Sequence, residues 1–500
     1  MNKFDFTVPG RQSAIGILLF FALSARKFFK ALWPILLVYL FKNNSIPEDK
    51  RFWIIVAGVF LLFLVMLNAT LSFFNFWFYI ENNEFVVRKG YLKKVKLSIP
   101  LDRIQTINIK QNLLQQLLKV VTVEVDTAGS AQRELKLVAL TNEQAIALQL
   151  VLGKEKQQLN KLKSEDEEEN SQDSEKSAPI IRLTPTDLIK VGISENHLRS
   201  SLIVMAVVGG FINQIQDYFT DQIEVTSEEV GNFIIAQSVA IIISLSIAVL
   251  LIGFLFSIIN TFLKYYDFTF ARQDGEFTIK SGLLTKKGVT IPYSKIQVVS
   301  WVTNPIRNWM DFSTVTLTEA SSKENDQKKA INIPGCNSRN RAVISREIFN
   351  IKDEPVWDKH FTHKSYAWKL WLLRGWLIAM PPAIIWYDNI IVLSVAAFWI
   401  VLNLPLSFLT LKKRYFRVNK DYIENSRGTI EQKWSRMYGF KVQSVKLKQS
   451  IFQRRKGLAT IKLYTAGGKI LTMPFIAESL ARELYNYLLF NVESGNRKWM

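Results

Sequence analysis

Cysteine occurs once in these 500 residues, at Cys336. One thiol excludes a disulfide framework within the chain and any cysteine-based zinc site. Histidine is almost as scarce: His197, His360 and His363 are the three present. His360 and His363 have the i, i+3 spacing that two metal ligands on a helix would use, but no Cys or third His stands near them. No metal and no cofactor is therefore expected. A Gly-x4-Gly-Lys-Ser/Thr phosphate loop, a nucleophile elbow and a paired-carboxylate signature are all missing, so no enzyme is expected. Residues 1–12 are polar and show no signal-peptide cleavage pattern.

Charge is also missing, from long stretches. Residues 52–80, 233–262 and 390–411 carry none. Runs of about twenty uncharged, mostly apolar residues read as membrane-spanning helices. Each run has a shorter apolar partner before it, at 31–41, 202–215 and 370–387. A short partner suits a buried or interfacial helix as well as a span. Spanning is the expectation, because it places three copies of one soluble module on one side of the membrane. Arg26, Lys27, Lys30, Arg199, Lys369 and Arg374 near the partner starts can snorkel to the headgroups. The sequence thus predicts six spans in three hairpins.

The loop 213–232 has no Lys or Arg and carries Asp217, Asp221, Glu224, Glu228 and Glu229. The positive-inside rule then places both termini and all three soluble repeats in the cytoplasm. The net charge of +20 would suit nucleic acid, but no nucleic-acid motif is visible. Attraction of juxtamembrane Lys and Arg to an anionic leaflet accounts for the same charge.

What is present is a pattern repeated three times. Gly90, Ile99-Pro100, Ile104-Gln105, Asn112 and Thr127-Ala-Gly129 recur 192 positions later as Gly282, Ile291-Pro292, Ile296-Gln297, Asn304 and Glu319-Ala-Ser321. They recur again 338 positions later as Gly428, Val442-Gln443 and Thr465-Ala-Gly467, with Tyr438 in place of the Pro. A fixed register identifies one unit used three times. Period-two alternation at 106–110, 121–126, 445–448 and 461–464 predicts half-buried antiparallel strands. Helical stretches follow at 141–152, 337–350 and 477–490.

Strands closed by one helix are the plan of pleckstrin-homology (PH) domains. The hairpin-plus-repeat order, with Arg103-Ile-Gln-Thr-Ile-Asn-Ile-Lys-Gln111 and Thr127-Ala-Gly129, resembles bacterial PH-like membrane proteins of the YdbT type. The resemblance implies six transmembrane helices in three hairpins, and three cytoplasmic PH-like β-sandwich or barrel domains, each with a C-terminal helix. It also implies a bacterial inner-membrane location, a role in cell-envelope physiology and a smaller single-domain relative as partner. The expected order is hairpins at 14–77, 198–265 and 366–412, PH-like domains at 78–155, 266–352 and 413–494, and an acidic disordered linker at 156–183.

The candidate contact residues for lipid headgroups or partners are basic. Arg88, Lys89, Lys93, Lys94 and Lys96 lie in the first repeat, Lys286 and Lys287 in the second, and Arg454, Arg455 and Lys456 in the third. A solvated positive-inside face stands beside the headgroup reading at these positions. The predicted function is non-enzymatic headgroup binding or partner docking at the membrane. Alternatives are a transporter or lipid-moving protein, hinted at by Asn68, Asn75 and a break at Met380-Pro-Pro382, or an oligomeric scaffold. Membrane lipids, a protein partner and a second copy of the chain are the expected partners.

Overall fold

The computed structural model describes residues 4–41, 48–91, 93–127, 135–162, 179–195, 197, 201, 238–273, 275–320, 330–350, 358–419 and 421–493. The chain forms two units, Met1–Ser177 with Thr278–Thr290, and Ala178–Phe277 with Ile291–Met500.

In the first unit, β1 (Gly10–Arg11) precedes a hairpin of helices α1 (Gly16–Phe41) and α2 (Glu48–Phe74). Strands β2 (Trp77–Glu81), β3 (Glu84–Lys89) and β4 (Val95–Pro100) follow, and the four strands form one antiparallel sheet in chain order. A short turn leads into β5 (Ile104–Gln111), helix α3 (Leu113–Leu117), β6 (Val120–Thr127), β7 (Leu135–Thr141) and helix α4 (Asn142–Leu162). Phe78, Phe85 and Val87 of one sheet meet Val121, Val123, Val125 and Leu137 of the other, and Ala145, Leu148 and Leu152 of α4 complete the core.

In the second unit, β8 (Ile181–Arg182) and helix α5 (Pro185–Ile193) precede the long helix α6 (Ser238–Tyr265) and β9 (Thr269–Gln273). Strands β10 (Glu276–Ser281) and β11 (Lys286–Pro292) form a hairpin whose residues 278–290 belong to the first unit. Then come β12 (Ile296–Thr303), helix α7 (Pro305–Trp309), β13 (Ser313–Glu319), β14 (Ala330–Cys336) and helix α8 (Ser338–Phe349). The third repeat opens with β15 (His360–Phe361). Its hairpin is α9 (Ser365–Trp371), a π-helical turn at Leu372–Trp376, α10 (Leu377–Ile385) and α11 (Ile390–Lys412). Strands β16 (Tyr415–Val418), β17 (Tyr422–Gly428), β18 (Gln432–Tyr438) and β19 (Val442–Lys448) follow, then helix α12 (Ile451–Arg454), β20 (Leu458–Thr465), β21 (Ile470–Ala477) and helix α13 (Glu478–Glu493).

The repeated residues have local causes. Gly90, Gly282 and Gly428 sit at hairpin tips with positive φ, and a Cβ on Gly428 would lie 1.9 Å from the Glu431 carbonyl. Pro100 and Pro292 enter a 3-10 turn at φ −56° and −64°. Tyr438 reaches φ −70° at the same place and donates its hydroxyl to the Ile348 carbonyl at 3.0 Å. Asn112, Asn304 and Ser450 cap the short helices through side-chain oxygens. Gln115 and Gln453 make the same bond in two repeats, to Thr122 at 2.6 Å and Thr460 at 2.7 Å. Ser450 is therefore the counterpart of Asn112, with Gln449 one position before it.

Several boundaries differ from the expectation. A strand before each hairpin pairs with the first strand after it: Gly10 with Phe78, Ile181 with Phe270, and His360 with Phe416. Each hairpin is an insertion within its repeat, so Phe6 and Gln12 are buried rather than part of a polar arm. The linker expected over 156–183 is helical up to Leu162, and Ile181 and Leu183 are buried. Its acidic centre, 163–178, lies outside the described residues, as do the acidic loop 213–232, the partner segment 202–215 and Ala128-Gly129.

The partner segment expected at 31–41 belongs to a helix of 26 residues, α1. The apolar run 15–23 extends it, and Leu19 is fully buried against Val120 and Ala139. Pro381 and Pro382 lie inside α10 rather than breaking it. His360 is on a strand, stacked on Phe416 with ring centroids 5.1 Å apart, so the two histidines do not share a helix face.

Candidate functional site

The short helix between the fifth and sixth strand stands beside the start of the first hairpin helix in the first and third repeats, and beside the end of α5 in the second. Leu118, just past α3, packs on the small cluster that Leu19 of α1 forms with Val120 and Ala139. In the second repeat Asn304 donates to the Ser194 carbonyl at 2.8 Å, and Arg307 pairs with Glu195 at 3.2 Å, at the end of α5. In the third, Lys456 Nζ donates to the hydroxyl of Ser365, the first residue of α9, at 3.1 Å. The outer faces are apolar and open. Leu117 is 80% exposed, Trp309 83%, Ile451 73% and Phe452 77%. Large apolar groups left exposed in this way form unpartnered surface patches.

A second feature lies where α11 ends. The tip of the β17–β18 hairpin rests on the helix: the Thr429 and Thr410 hydroxyls are 2.7 Å apart, and Lys413 Nζ donates to the Ile430 carbonyl at 3.3 Å. The Ser426 hydroxyl donates to the Lys413 carbonyl at 2.8 Å. This anchoring gathers cations from four places in the chain. Arg427 stands opposite Lys433 across the hairpin. Lys469, before β21, donates to the Ser300 hydroxyl. Arg414 donates to the Tyr366 hydroxyl and the Thr472 carbonyl, both at 3.1 Å, and its buried Nε has no hydrogen-bond partner.

These cations disfavour one another's charge. Burial, with Arg427 beside it, lowers the Lys433 amine from its usual range. Burial, then Lys433 and Arg427, push Lys469 well below its usual range. Burial lowers Arg414, and Arg427 and Arg374 add to the effect. Glu431 is the acidic group acting on Lys433. A phosphate brought to this cluster would restore the charged forms, because an opposite charge favours ionisation.

The joint between the second and third repeats holds a cavity of about 430 Å³ lined by Trp301, Arg341, Tyr415, Arg417, Trp434 and Arg436. Arg436 is 2% exposed at its side chain and donates to Glu424 at 2.8 and 3.1 Å. Its other nitrogen reaches the Ser345 hydroxyl at 2.8 Å, and its guanidinium lies 5.2 Å from the Trp301 ring centre. Arg417 approaches the other Glu424 oxygen at 3.7 Å. The third repeat thus plugs the second with a compensated charge.

Comparison with known proteins decides the family. The bacterial PH domain family model matches residues 19–156, 204–348 and 375–491, most of the chain. The chain belongs to the bacterial PH domain family. It is also 25% identical over 453 residues to UPF0699 transmembrane protein YdbT of Bacillus subtilis (strain 168), covering 86% of each chain. The resemblance to the YdbT type therefore stands, and among the described residues three helices, Val56–Phe74, Ile247–Tyr265 and Ile390–Lys412, are long and apolar enough to cross a membrane. This is a membrane protein carrying three bacterial PH domains.

Within these PH domains the basic residues singled out from sequence fall in different places. Arg454, Arg455 and Lys456 end α12, beside Ile451 and Phe452. Arg88, Lys89, Lys93, Lys94 and Lys96 cluster on the β3–β4 hairpin. Arg88 lies 5.4 Å from the Tyr79 ring centre, and Lys96 is 3.7 Å from Glu81. Lys286 and Lys287 pair instead with Gln111 and Lys110 of β5. Arg414, Arg427, Lys433 and Lys469 were not singled out. They come from separate places, Arg427 and Lys433 on β17 and β18 and Arg414 and Lys469 just before β16 and β21, and only the count of basic residues near a span end could have pointed to them. Among the described residues no metal-ligating cluster occurs.

Proposed function

We propose that this protein is a six-span protein of the bacterial cell membrane whose cytoplasmic PH domains bind anionic lipid headgroups without catalysis. The carrying observation is the cation cluster Arg414, Arg427, Lys433 and Lys469 gathered where the β17–β18 hairpin rests on the end of α11. Length supports spanning by the first helix of the third hairpin as well. Ser365–Ile385 rises about 31 Å at 1.5 Å per residue, against about 30 Å of hydrocarbon. Trp368 and Trp386 near its two ends suit the two interfaces. Lys412 and Lys413 at the end of α11, which leads directly into the third repeat, support a cytoplasmic orientation for that repeat.

The test counts lipids. The full chain is extracted in mild detergent, and its retained lipids are weighed by native mass spectrometry. Wild type is expected to keep phosphatidylglycerol or cardiolipin in preference to phosphatidylethanolamine. Two juxtamembrane cations contribute roughly 1 kcal/mol each, so Arg427→Gln with Lys433→Gln should bind anionic lipid on the order of thirtyfold more weakly. Equal retention by the two proteins would sink the reading.

A further inference from the structure

The PH domains join one another edge to edge, and the joint is made twice in the same register. In the first unit, Lys286, Lys287 and Gly288 pair antiparallel with Gln111, Lys110 and Ile109. In the second unit, Gln432, Lys433 and Trp434 pair with Thr303, Val302 and Trp301. Thr303 lies 192 positions beyond Gln111, the spacing of the sequence repeat, and Gln432 lies 146 beyond Lys286, the spacing between its second and third copies. The fourth strand of one repeat therefore pairs with the fifth strand of the repeat before it, residue for residue.

Two halves of this joint are left over. The fourth strand of the first repeat, β4, ends its sheet, and the fifth strand of the third repeat, β19, ends another. Lys94 and Lys96 on one edge and Lys446, Lys448 and Gln449 on the other are exposed. An edge strand presents a row of unpaired backbone groups and is a template for another chain. Lysine on an edge commonly opposes such pairing, but here Lys287 already stands opposite Lys110 within the chain. The remaining edges place no two lysines opposite each other when set in the observed register.

We propose that β4 of one copy pairs antiparallel with β19 of a second copy, in the register Lys94 with Gln449, Val95 with Lys448, Lys96 with Leu447 and Leu97 with Lys446. A head-to-tail joint of this kind uses different surfaces on the two partners and closes into a ring or grows into a row. Within the second unit the same joint connects two repeats that each follow a helix long and apolar enough to cross a membrane, so it is compatible with two copies in one bilayer. Arg454 occupies the position of Gln116, whose side chain donates to the Leu283 carbonyl at 2.9 Å. Across the new joint it would meet the carbonyl of Tyr91. The proposal does not depend on headgroup binding, since the contact is backbone to backbone.

The test uses the full chain in native membranes, with Cys336→Ala to remove the natural thiol and two copies carrying different tags. One copy carries Lys96→Cys and the other Leu447→Cys. A second pair carries Val95→Cys and Lys448→Cys. Adjacent cross-strand pairs alternate between wide and narrow, and Cα separations of about 4.5–5.5 Å allow a disulfide. Oxidation is expected to yield a dimer carrying both tags from at least one pair. Lys96→Cys with Lys448→Cys, one step out of register and on opposite faces, should give none. Absence of the mixed dimer from both pairs would overturn the proposal. So would equal crosslinking by the shifted pair, or a bond confined to one chain when both cysteines are placed on it.

Discussion

Arg436 and Glu424 show how much can rest on one pair of side chains. Both are almost fully buried, and the guanidinium also holds Ser345 and faces Trp301 across the joint between two repeats. Glu424→Gln would leave Arg436 as an uncompensated buried charge, at a cost of about 3–5 kcal/mol. Thermal unfolding of the detergent-solubilised chain should show a large drop, while the double change Glu424→Leu with Arg436→Met should recover much of it. Lys441 makes a different prediction. It donates at 2.7 Å to the Ser294 and Ile296 carbonyls, and burial lowers its amine to about 8. An unfolded lysine titrates at about 10.4. Between these values the unfolded chain binds more protons, so stability rises with pH through that window. Relative to Lys441→Met, wild type should gain stability from pH 8 to about 10 and show a constant difference below pH 8. Denaturant titrations of both proteins across that range would check it.

The repeated glycine of each β-hairpin carries information at the scale of the element. Gly428 has φ +143°, and its hairpin holds Arg427 and Lys433 against the end of α11. Gly428→Ala should cost about 1–3 kcal/mol of backbone strain and weaken anionic-lipid retention with it, read by limited proteolysis and lipid counting on one sample. The strands were legible in the sequence because alternation and the glycines act locally, whereas Asn112 and Asn304 stood out only as repeated residues and the short helices they cap were not expected. The strands before the hairpins were not, since two residues such as Gly10-Arg11 show no period. The joints between repeats left no local signal either. Edge pairing engages backbone groups, and Lys286 and Lys287 read in sequence as candidate headgroup contacts or a solvated face, not as half of a strand joint.

At the scale of the whole molecule, the +20 net charge and the apolar runs together announced a membrane protein with basic domains. What they did not announce was which cations converge. Arg454, Arg455 and Lys456 form a visible run, whereas Arg414, Arg427, Lys433 and Lys469 meet only after β16, β17, β18 and β21 have folded around the end of α11. In the proposed headgroup reading, direct attachment to that helix would hold the cluster within roughly one Debye length, about 8 Å, of the lipid surface. High salt should weaken a surface attraction more than a partly buried one. The most direct measurement is depth. A fluorophore on Phe452→Cys, in the Cys336→Ala chain reconstituted in nanodiscs, is exposed to lipids brominated near the headgroup and to an aqueous quencher. The account predicts strong quenching by the lipid and protection from the aqueous quencher, both greater in anionic than in zwitterionic discs. Free access to the aqueous quencher in both kinds of disc, with no lipid quenching, would contradict it.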